Sequence, residues 1–510
     1  MDQRRGYRNR RGRHERQAVS PVGRSCSTAL SLVAASLLIA GCATTGGPAE
    51  STLGPNAPTP SSVSTLPGSP TSVQPSTTAN PNGSAAASWT TYQGGSAHLG
   101  DAPGGPPPTP LHMAWSNALD GSAVYGQPLV YNGMVLVATE DDDVFALDAS
   151  NGKTLWETRL GSPLRNVASQ AGCGDVDPLG VTSTPVIDTA TGVIYVLAEL
   201  SNAGKAPVRH QLFGIDTATG TITSNVNADP PLGSAENSVH LLQRAALAFG
   251  NGRVYVGYGG QYGDCGFYHG WIVSVPVTGG SNTAFNVTPT GSGGAVWDGG
   301  SGPAVGANGD VFVTTGNPNS SKPAPWAESV VKLAPALGPT PLAHFQDPVA
   351  TGDLDLSTGG PILLPDGDLF AVGKTDIGYL LRQSDLSRVA PIAGRICGSD
   401  PDGGAAWDAS TDSIYVPCRS GGIQQVDLAS LRTGWRSGSA NSTVVLSGGA
   451  LWSLRYPNGI LQELNPANGA VLASIQVGRR VPNFASPTPL NGSVLVPTDS
   501  GVLAFTGPAK

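Results

Sequence analysis

This chain of 510 residues is poor in charged and aromatic side chains. Asp, Glu, Lys and Arg make up 13% of it and aromatic residues 6%, with only seven histidines and six cysteines. The sequence is instead rich in glycine (69 residues) and proline (43 residues). Such a composition favours many short strands joined by tight turns over long helices.

Basic residues are scarce outside the N-terminus. The first 24 residues contain eight arginines against Asp2 and Glu15, so the remaining chain is more acidic than the net charge of −8 for the whole chain indicates. Binding to nucleic-acid phosphates needs clustered Lys and Arg. We therefore expect no nucleic-acid partner.

Several motifs of enzyme chemistry are missing. The sequence contains no CxxCH, which argues against a covalent c-type haem, and its histidines show no HxxxH or similar zinc-ligand spacing. Neither a GxSxG nor a P-loop motif occurs in a strand–turn–helix context. These absences leave few enzyme classes that can be predicted from short motifs.

The N-terminus has the pattern of a lipoprotein signal. Met1–Arg24 is basic and Ala29–Ala40 is apolar but too short for a comfortable membrane span. The sequence Ile-Ala-Gly-Cys ending at Cys42 matches a lipobox, in which the cysteine thiol is acylated. We predict a lipoprotein signal peptide at 1–41 and a protein anchored in the cell membrane through lipidated Cys42, on the extracytoplasmic face. The alternative is an uncleaved anchor helix.

Residues 42–88 consist mainly of Ser, Thr, Pro, Ala, Gly and Asn. A segment with so few large apolar residues cannot bury enough surface to offset its chain entropy. We predict that it is a disordered tether and that the folded domain spans 89–510.

The domain is organised around the segment Gly126–Trp156. Its pattern predicts strands at Pro128–Tyr131, Met134–Thr139 and Asp143–Leu147, and the start of a fourth strand at Lys153–Trp156. A four-stranded meander cannot bury both faces alone, so copies of it must stack.

The same pattern recurs seven times, which makes eight units with the first. The spacing is roughly sixty residues in the first half and about forty in the second, close to that of propeller blades. The sequence predicts an all-β propeller of eight four-stranded blades, with His112–Ala118 as the outer strand that closes the ring. The long early repeats need long loops, where binding functions tend to collect.

Four cysteines lie in the predicted domain, and secretion would permit disulfides. Cys397 and Cys418 flank the first two strands of one blade, so we predict that they pair. A second bond, Cys173–Cys265, would then join two early loops.

The segment Phe145–Trp156 resembles the repeat of PQQ-type (pyrroloquinoline quinone) β-propellers, and the turn Asp216–Gly220 is similar. The resemblance extends from Trp89 to the end of the chain. It implies either a quinoprotein dehydrogenase or a lipoprotein that binds proteins during envelope assembly and carries no cofactor.

The resemblance also implies candidate site residues. Asn317, in a Thr-Gly-Asn-Pro segment, resembles the calcium ligand of quinoproteins, and Asp264 lies near the position of a carboxylate ligand. Asp355 resembles the catalytic aspartate, Lys374 the basic residue that touches the quinone oxygen, and Trp297 lies near the stacking tryptophan. In such a site Ca²⁺ polarises the quinone and the carboxylate takes a proton from an alcohol.

Each candidate also has an ordinary structural interpretation. Asn317 could cap a turn, Asp355 could form an Asx-turn, Lys374 could be a solvated strand end and Trp297 could belong to the core. The adjacent cysteine pair of many quinoprotein alcohol dehydrogenases is absent.

We therefore favour a non-catalytic envelope protein that needs no cofactor and binds a protein partner or a small ligand on the face of the long early loops. The first alternative is a quinoprotein oxidoreductase that acts on alcohols with PQQ and Ca²⁺. A sugar-binding or glycan-processing propeller rests on fold analogy alone.

Overall fold

The computed structural model describes residues 88–102, 104–105 and 110–507. The predicted signal peptide, Cys42 and all but the last residue of the tether lie outside the described residues, so these assignments stay predictions. No helix in the described ranges is long and apolar enough to span a membrane.

The described residues form eight four-stranded antiparallel sheets in a propeller ring, which confirms the predicted fold class and blade number. Within the described residues, helical structure is limited to one short α-helix, Val167–Ala171, and four 3₁₀ turns. These turns are Tyr92–Gly94, Leu119–Gly121, Ser238–His240 and Asp298–Gly300.

Blades 1 to 4 take their strands in chain order, from the channel outwards. Blade 1 contains Leu129–Tyr131, Met134–Ala138, Asp143–Asp148 and Thr154–Arg159. Blade 2 contains Val186–Asp188, Val193–Asn202, Lys205–Asp216 and Ile222–Asn227. Blade 3 contains Ala248–Gly250, Arg253–Gly260, Trp271–Pro276 and Thr283–Asn286, with Leu241–Leu242 paired to its second strand. Blade 4 contains Ala304–Val305, Val311–Thr314, Ser329–Leu333 and Ala343–Gln346.

Blades 5 to 8 complete the ring. Blade 5 contains Ile362–Leu363, Asp368–Val372, Gly378–Arg382 and Arg388–Pro391. Blade 6 contains Ala406–Asp408, Ser413–Pro417, Ile423–Asp427 and Arg432–Ser437. Blade 7 contains Val445–Ser447, Ala450–Arg455, Ile460–Leu464 and Val471–Gln476, and Asp101–Ala102 runs parallel to its first strand. Blade 8 contains Thr488–Leu490, Ser493–Thr498, Gly501–Thr506 and His112–Asn117.

Burial follows the position of each strand in its blade. The second and third strands of blade 4, Val311–Thr314 and Ser329–Leu333, are buried along their whole length because neighbouring blades cover both of their faces. The fourth strand of blade 1, Thr154–Arg159, keeps most of its side chains exposed or half-buried. The core therefore consists of the facing second and third strands of successive blades.

Tryptophans of fourth strands join neighbouring blades. The indole of Trp156 in blade 1 donates a hydrogen bond to the Thr217 carbonyl oxygen in blade 2 (2.9 Å) and packs against Gly220. A Cβ atom at Gly220 would lie 2.7 Å from the Trp156 ring. Equivalent indole hydrogen bonds link Trp115 to Ala149 and Trp435 to Pro466. The turn of the repeat, Asp-x-x-x-Gly or Asn-x-x-x-Gly, thus leaves room for a tryptophan from the preceding blade.

A segment before the first blade lines the channel. Residues 89–102 and Gly104, called the belt below, make backbone hydrogen bonds to the first strand of a blade or to the turn that follows it. The bonded pairs are Trp89–Val130, Thr90–Ile187, Ser96–Val305, Ala97–Leu363, Leu99–Trp407, Gly100–Leu446 and Gly104–Gly492. The belt therefore connects seven blades and covers the channel near the carboxyl ends of the first strands.

The strand His112–Asn117 pairs antiparallel with Gly501–Thr506 and is the outer strand of blade 8. A strand that precedes blade 1 in the chain and the last described strand therefore share one sheet. The belt also bridges the blades, so closure of the ring by His112–Asn117 stays a prediction.

Candidate functional site

The five candidate residues lie on one face of the ring. The strands of a blade alternate in direction, so the loop between the second and third strands lies at the same end as the loop that enters the next blade. We call this end the loop face. Asp264, Asn317 and Lys374 follow the second strands of blades 3, 4 and 5, whereas Trp297 and Asp355 precede the first strands of blades 4 and 5.

Three of these residues are in direct contact. The Asp355 carboxylate accepts a hydrogen bond from the backbone N–H of Asn317 at Oδ1 and another from the Lys374 ammonium at Oδ2, both at 2.8 Å. The backbone N–H of Lys374 also donates to the Asp355 carbonyl oxygen. The carboxylate thus holds together two loops of blade 4 and blade 5.

Burial and the neighbouring charges act in opposite directions on the pKa of each side chain in this contact. Burial raises the pKa of Asp355 despite the opposing effect of Lys374. Burial lowers the pKa of Lys374, but the nearby carboxylates of Asp355 and Asp353 outweigh it, so this pKa lies above its ordinary value. Asp353 accepts from the same ammonium at 2.7 Å from an exposed position. The lysine therefore stays charged between two acidic side chains.

Sequence reasoning missed a further acidic residue at this site. Glu328 is buried, and its Oε2 accepts a hydrogen bond from the backbone N–H of Leu356 at 3.0 Å. Its other oxygen has no partner. Burial, reinforced by the charge of Asp355, raises the pKa of Glu328 to about 8. No motif surrounds Glu328 in the sequence, where it simply precedes the third strand of blade 4.

Asp264 joins this group through other side chains. Its Oδ1 accepts a hydrogen bond from the Tyr268 hydroxyl, and Tyr268 also contacts the side chain of Asn319. Asn319 in turn accepts from the Asn317 amide at 3.4 Å. Burial and the charges of Asp264 and Asp355 place the pKa of Tyr268 well above its ordinary value. The loops of blades 3, 4 and 5 therefore share one polar network.

Trp297 is half-buried and lies apart from the Asp355 contact. Its ring packs against Phe484 with centroids 5.5 Å apart, and its backbone N–H donates to the Ser357 hydroxyl. Phe484 belongs to the loop that enters blade 8. The tryptophan therefore contributes to an aromatic group at the channel.

Arg244 lies in this aromatic group, and sequence reasoning did not single it out. Its guanidinium lies 5.5 Å from the ring centroids of both Tyr125 and Phe484, and Nη2 donates to the Asn483 carbonyl oxygen at 2.8 Å. Burial lowers its pKa below the ordinary value. A cation thus lies at the channel between loops of blades 1, 3 and 8.

The long early loops form a small hydrophobic cluster of their own on the loop face. It consists of Leu164, Val167, Ala171, Val176, Leu179, Val208, Val239 and Leu242. We call this cluster the cap. The disulfide Cys173–Cys265 joins it to the loop of blade 3, and Cys397–Cys418 lies in blade 6, so both predicted pairings are confirmed.

A buried ion-pair group lies in blade 2 close to the cap. His210 Nδ1 lies 2.8 Å from Asp229 Oδ1, and Nε2 lies 3.4 Å from Glu199 Oε2. Burial lowers the pKa of His210, but the two carboxylates outweigh this effect and raise it to about 9. The imidazole is therefore charged at neutral pH and joins the long hairpin of blade 2 to the loop that follows it.

The residues present do not fit the calcium ion that the resemblance implies. A protein Ca²⁺ site needs six to eight oxygen ligands. Both Asp355 oxygens accept hydrogen bonds, one of them from an ammonium, and an Asp264 oxygen accepts from Tyr268. In the described ranges no group of three His, Cys, Asp or Glu side chains is arranged to hold a metal ion.

These observations define the class of protein as an eight-bladed β-propeller with a polar loop-face network. Residues 112–282 match the family profile described as outer membrane protein assembly factor BamB. No curated protein matches the chain. The profile match covers less than half of the chain, which is therefore similar to that family over residues 112–282.

The similar solved structures include both enzymes and BamB. A quinohemoprotein alcohol dehydrogenase from Comamonas testosteroni has a TM-score of 0.65 at 16% identity, covering 83% of this chain and 81% of that chain. A europium-containing methanol dehydrogenase has a TM-score of 0.63 at 14% identity, covering 81% and 90%. BamB from Moraxella catarrhalis has a TM-score of 0.54 at 12% identity, covering 78% and 100%. At these identities the likeness shows the fold alone.

Proposed function

We propose that this protein is a cell-envelope scaffold, anchored through lipidated Cys42, that binds a ligand or a protein partner on its loop face without catalysis. The lipobox and the short apolar run before it support the anchor. The match of residues 112–282 to the profile described as outer membrane protein assembly factor BamB supports a role in the cell envelope.

The hydrogen bonding of Asp355 is the observation that carries the proposal. A general base must lie within hydrogen-bond reach of the proton that it removes, and the Asp355 side chain is buried. Here the backbone of Asn317 binds one carboxylate oxygen and the Lys374 ammonium binds the other. This arrangement suits a side chain that holds two loops in place, because withdrawing the ammonium would leave a buried charge uncompensated.

The exposed side chains of the loop face support binding. Tyr262 is 69% exposed and Phe267 42% exposed, on either side of Cys265 in the loop of blade 3. Large aromatic side chains are common anchors in protein interfaces. The disulfide to the cap limits the motion of this loop, which lowers the entropy lost on binding.

A turnover assay tests the absence of catalysis. The purified mature protein and an Asp355→Asn variant are incubated with PQQ and Ca²⁺, and alcohol-dependent reduction of a dye is followed. A PQQ-dependent methanol dehydrogenase is the positive control. We expect no turnover from either form. Turnover by the parent protein that needs PQQ and is lost in the variant would refute the proposal.

A second assay tests the anchor. Cys42→Ala removes the thiol that would be acylated, so the variant should leave the membrane fraction and lack the mass of the acyl groups. Cys26→Ala is the matched control, because Cys26 precedes the predicted cleavage site and should have no effect. An unchanged membrane fraction and mass in Cys42→Ala would refute the lipoprotein assignment.

The second candidate is a quinoprotein oxidoreductase with PQQ and Ca²⁺. It is favoured by one observation, the direct contact of Asn317 and Lys374 with Asp355, three residues that the resemblance places in such a site. This function would require the Asp355 carboxylate to exchange its present partners for substrate and metal.

A further inference from the structure

We infer that a cavity at the outer rim of the loop face, between blades 8, 1 and 2, is a binding site for a primary ammonium group. Its acceptors are the carboxylates of Asp120 and Asp143 and the hydroxyl of Ser122. This inference deepens the proposed function, because it rests on ligand binding at the loop face and names the chemistry that is recognised. A free amine and the lysine side chain of a protein partner both carry this group.

The cavity has a volume of about 540 Å³, within the range of small-molecule sites. Residues 119–122 line it after the outer strand of blade 8, and residues 159–165 line it at the end of the outer strand of blade 1. The turn 141–143 of blade 1 and the hairpin tip 203–204 of blade 2 complete the wall. Because two of these elements continue outer strands, the cavity lies at the rim, separate from the central channel.

The two arginines at the cavity already have acidic partners. Arg165 Nη2 lies 2.7 Å from Asp141 Oδ1, and Arg159 Nε lies 3.1 Å from Glu157 Oε1. Arg159 reaches Asp143 only at 3.6 Å. The guanidinium groups therefore leave part of the negative charge at the cavity without a close counter-ion.

Asp120 and Asp143 supply this surplus negative charge. Asp120 forms no hydrogen bond or ion pair with any residue that the structure describes. The side chain of Asp143 is 13% exposed. Burial raises the pKa of Asp143 to about 6; Arg159 opposes this change, whereas neighbouring carboxylates, Asp120 among them, add to it. The cavity therefore favours a cationic ligand.

The Ser122 hydroxyl independently indicates a missing partner. Ser122 lines the cavity and is 6% exposed, and its Oγ is enclosed without a hydrogen-bond partner. A buried hydroxyl that makes no hydrogen bond is unfavourable. A primary ammonium group has three N–H donors. Two carboxylates and one hydroxyl offer an acceptor for each of them.

The cavity suits an organic cation better than a metal ion. In the described ranges no three His, Cys, Asp or Glu side chains are arranged to hold a metal. The volume is also far larger than a single ion needs. Gly161, Ser162 and Gly204 border the cavity with small side chains, which leave space for the body of a ligand.

Two probes represent the two sources of the ammonium group. n-Butylamine stands for a free amine, and Nα-acetyl-lysine amide stands for a lysine side chain; both are protonated at pH 7.5. The control ligands are 1-butanol, which is neutral, and tetramethylammonium, a cation without N–H donors. Ligand-observed NMR titrations of the mature protein should detect both amines, with the controls at least tenfold weaker. Binding should weaken as the salt concentration rises.

The two amines also distinguish the source. Tighter binding of the capped lysine than of n-butylamine would assign the site to a lysine of a protein partner. Equal or weaker binding of the capped lysine would assign it to a free amine.

Asp120→Asn and Asp143→Asn each remove one charge with little change in shape. Asparagine also tolerates the φ of +56° at Asp120. The affinity for n-butylamine should fall at least fivefold in each variant. Asp366→Asn is the control, because Asp366 is an exposed aspartate in a turn of blade 5, outside the cavity. It should bind n-butylamine like the parent.

The inference is overturned if the parent binds neither amine, or if it binds a control ligand as tightly as n-butylamine. It is also overturned if folded Asp120→Asn and Asp143→Asn keep the parent affinity. Asp120 is exposed, so its variant decides the question even if Asp143→Asn does not fold. The turnover assay is independent of these titrations. Turnover would refute the non-catalytic function, whereas a failure of both amines to bind would refute only the ligand class.

Discussion

The Lys374 ammonium lies 2.8 Å from the Asp355 carboxylate, with both side chains largely shielded from solvent. This ion pair connects the loop that enters blade 5 with the loop between the second and third strands of that blade. The proposed function and the second candidate function differ mainly in whether this contact is permanent.

Replacing Lys374 should lower the stability of the folded protein. Lys374→Met leaves the buried Asp355 carboxylate without its counter-ion, and we expect a loss of about 3 to 5 kcal/mol in the free energy of unfolding. Asp353→Asn, which removes the 80% exposed partner of the same lysine, should have little effect. Denaturant unfolding measures both changes. Equal stability of the two variants would contradict a stabilising role for the buried ion pair of Lys374 and Asp355.

The tryptophan contacts between blades can be tested at a glycine. Gly220 has a φ of +73°, and a Cβ atom there would lie 2.7 Å from the Trp156 ring. Gly133 has a similar φ of +77° but open space around it. Alanine at either site should cost about 1 to 2 kcal/mol in backbone strain. Gly220→Ala should cost about 1 to 3 kcal/mol more, because the added methyl group overpacks the contact.

Thermal and denaturant unfolding of the two alanine variants give the comparison. A Gly220→Ala variant that is as stable as Gly133→Ala would contradict the proposed role of the glycine as a site for the indole.

The His210 ion-pair group predicts a pH dependence of stability. Asp229 and Glu199 raise the pKa of this imidazole to about 9 in the folded protein, above the value of about 6.5 expected in an unfolded chain. The folded state therefore binds the proton more tightly between these two values. The stabilisation is complete below about pH 6.5 and is lost as the pH rises to about 9.

A His210→Gln variant should be less stable than the parent at pH 6, and the difference should shrink towards pH 9. One proton corresponds to at most about 1.4 kcal/mol per pH unit. The buried Glu140, with a pKa raised to about 8, contributes a change of the same sign in both proteins. His344→Gln, at an exposed position, is the control. If the difference in stability between the parent and His210→Gln does not change with pH, the His210 imidazole does not have the raised pKa described above.

The two disulfides should differ in their reactivity. Cys397 and Cys418 are 1% and 0% exposed, whereas Cys173 and Cys265 are partly exposed at the cap. Because thiol–disulfide exchange requires access to a sulfur atom, limited reduction should open Cys173–Cys265 first. Alkylation followed by peptide mass spectrometry identifies the free thiols. Earlier labelling of Cys397 or Cys418 would contradict this order.

Local signals in the sequence predicted most of the fold. The alternation of apolar runs with glycine turns, as in Met134–Ala138 before Asp143–Asp148, predicts strands because one strand and its turn are decided by neighbouring residues. The register of these pairs follows from the same pattern. The belt was not predicted, since its contacts with seven blades leave no periodic signal in residues 89–102.

The candidate site was predictable where it carries a motif. Asn317, Asp355 and Lys374 resemble family segments, and the structure brings them together, although their chemical roles stay predictions. Glu328 could not be found in the same way, because its raised pKa comes from burial and from Asp355, a residue distant in sequence. Such an environment exists only in the folded chain.

The sequence by itself determined the blades, their number and the turns between their strands, because each depends on residues close together in the chain. Only the tertiary structure decided which side chains meet across the channel. Arg244 and Asn483 are separated by 239 positions and come from blades 3 and 8, yet they share a hydrogen bond. The repeat specifies each blade in nearly the same way, whereas the closed ring sets which loops face each other around its axis.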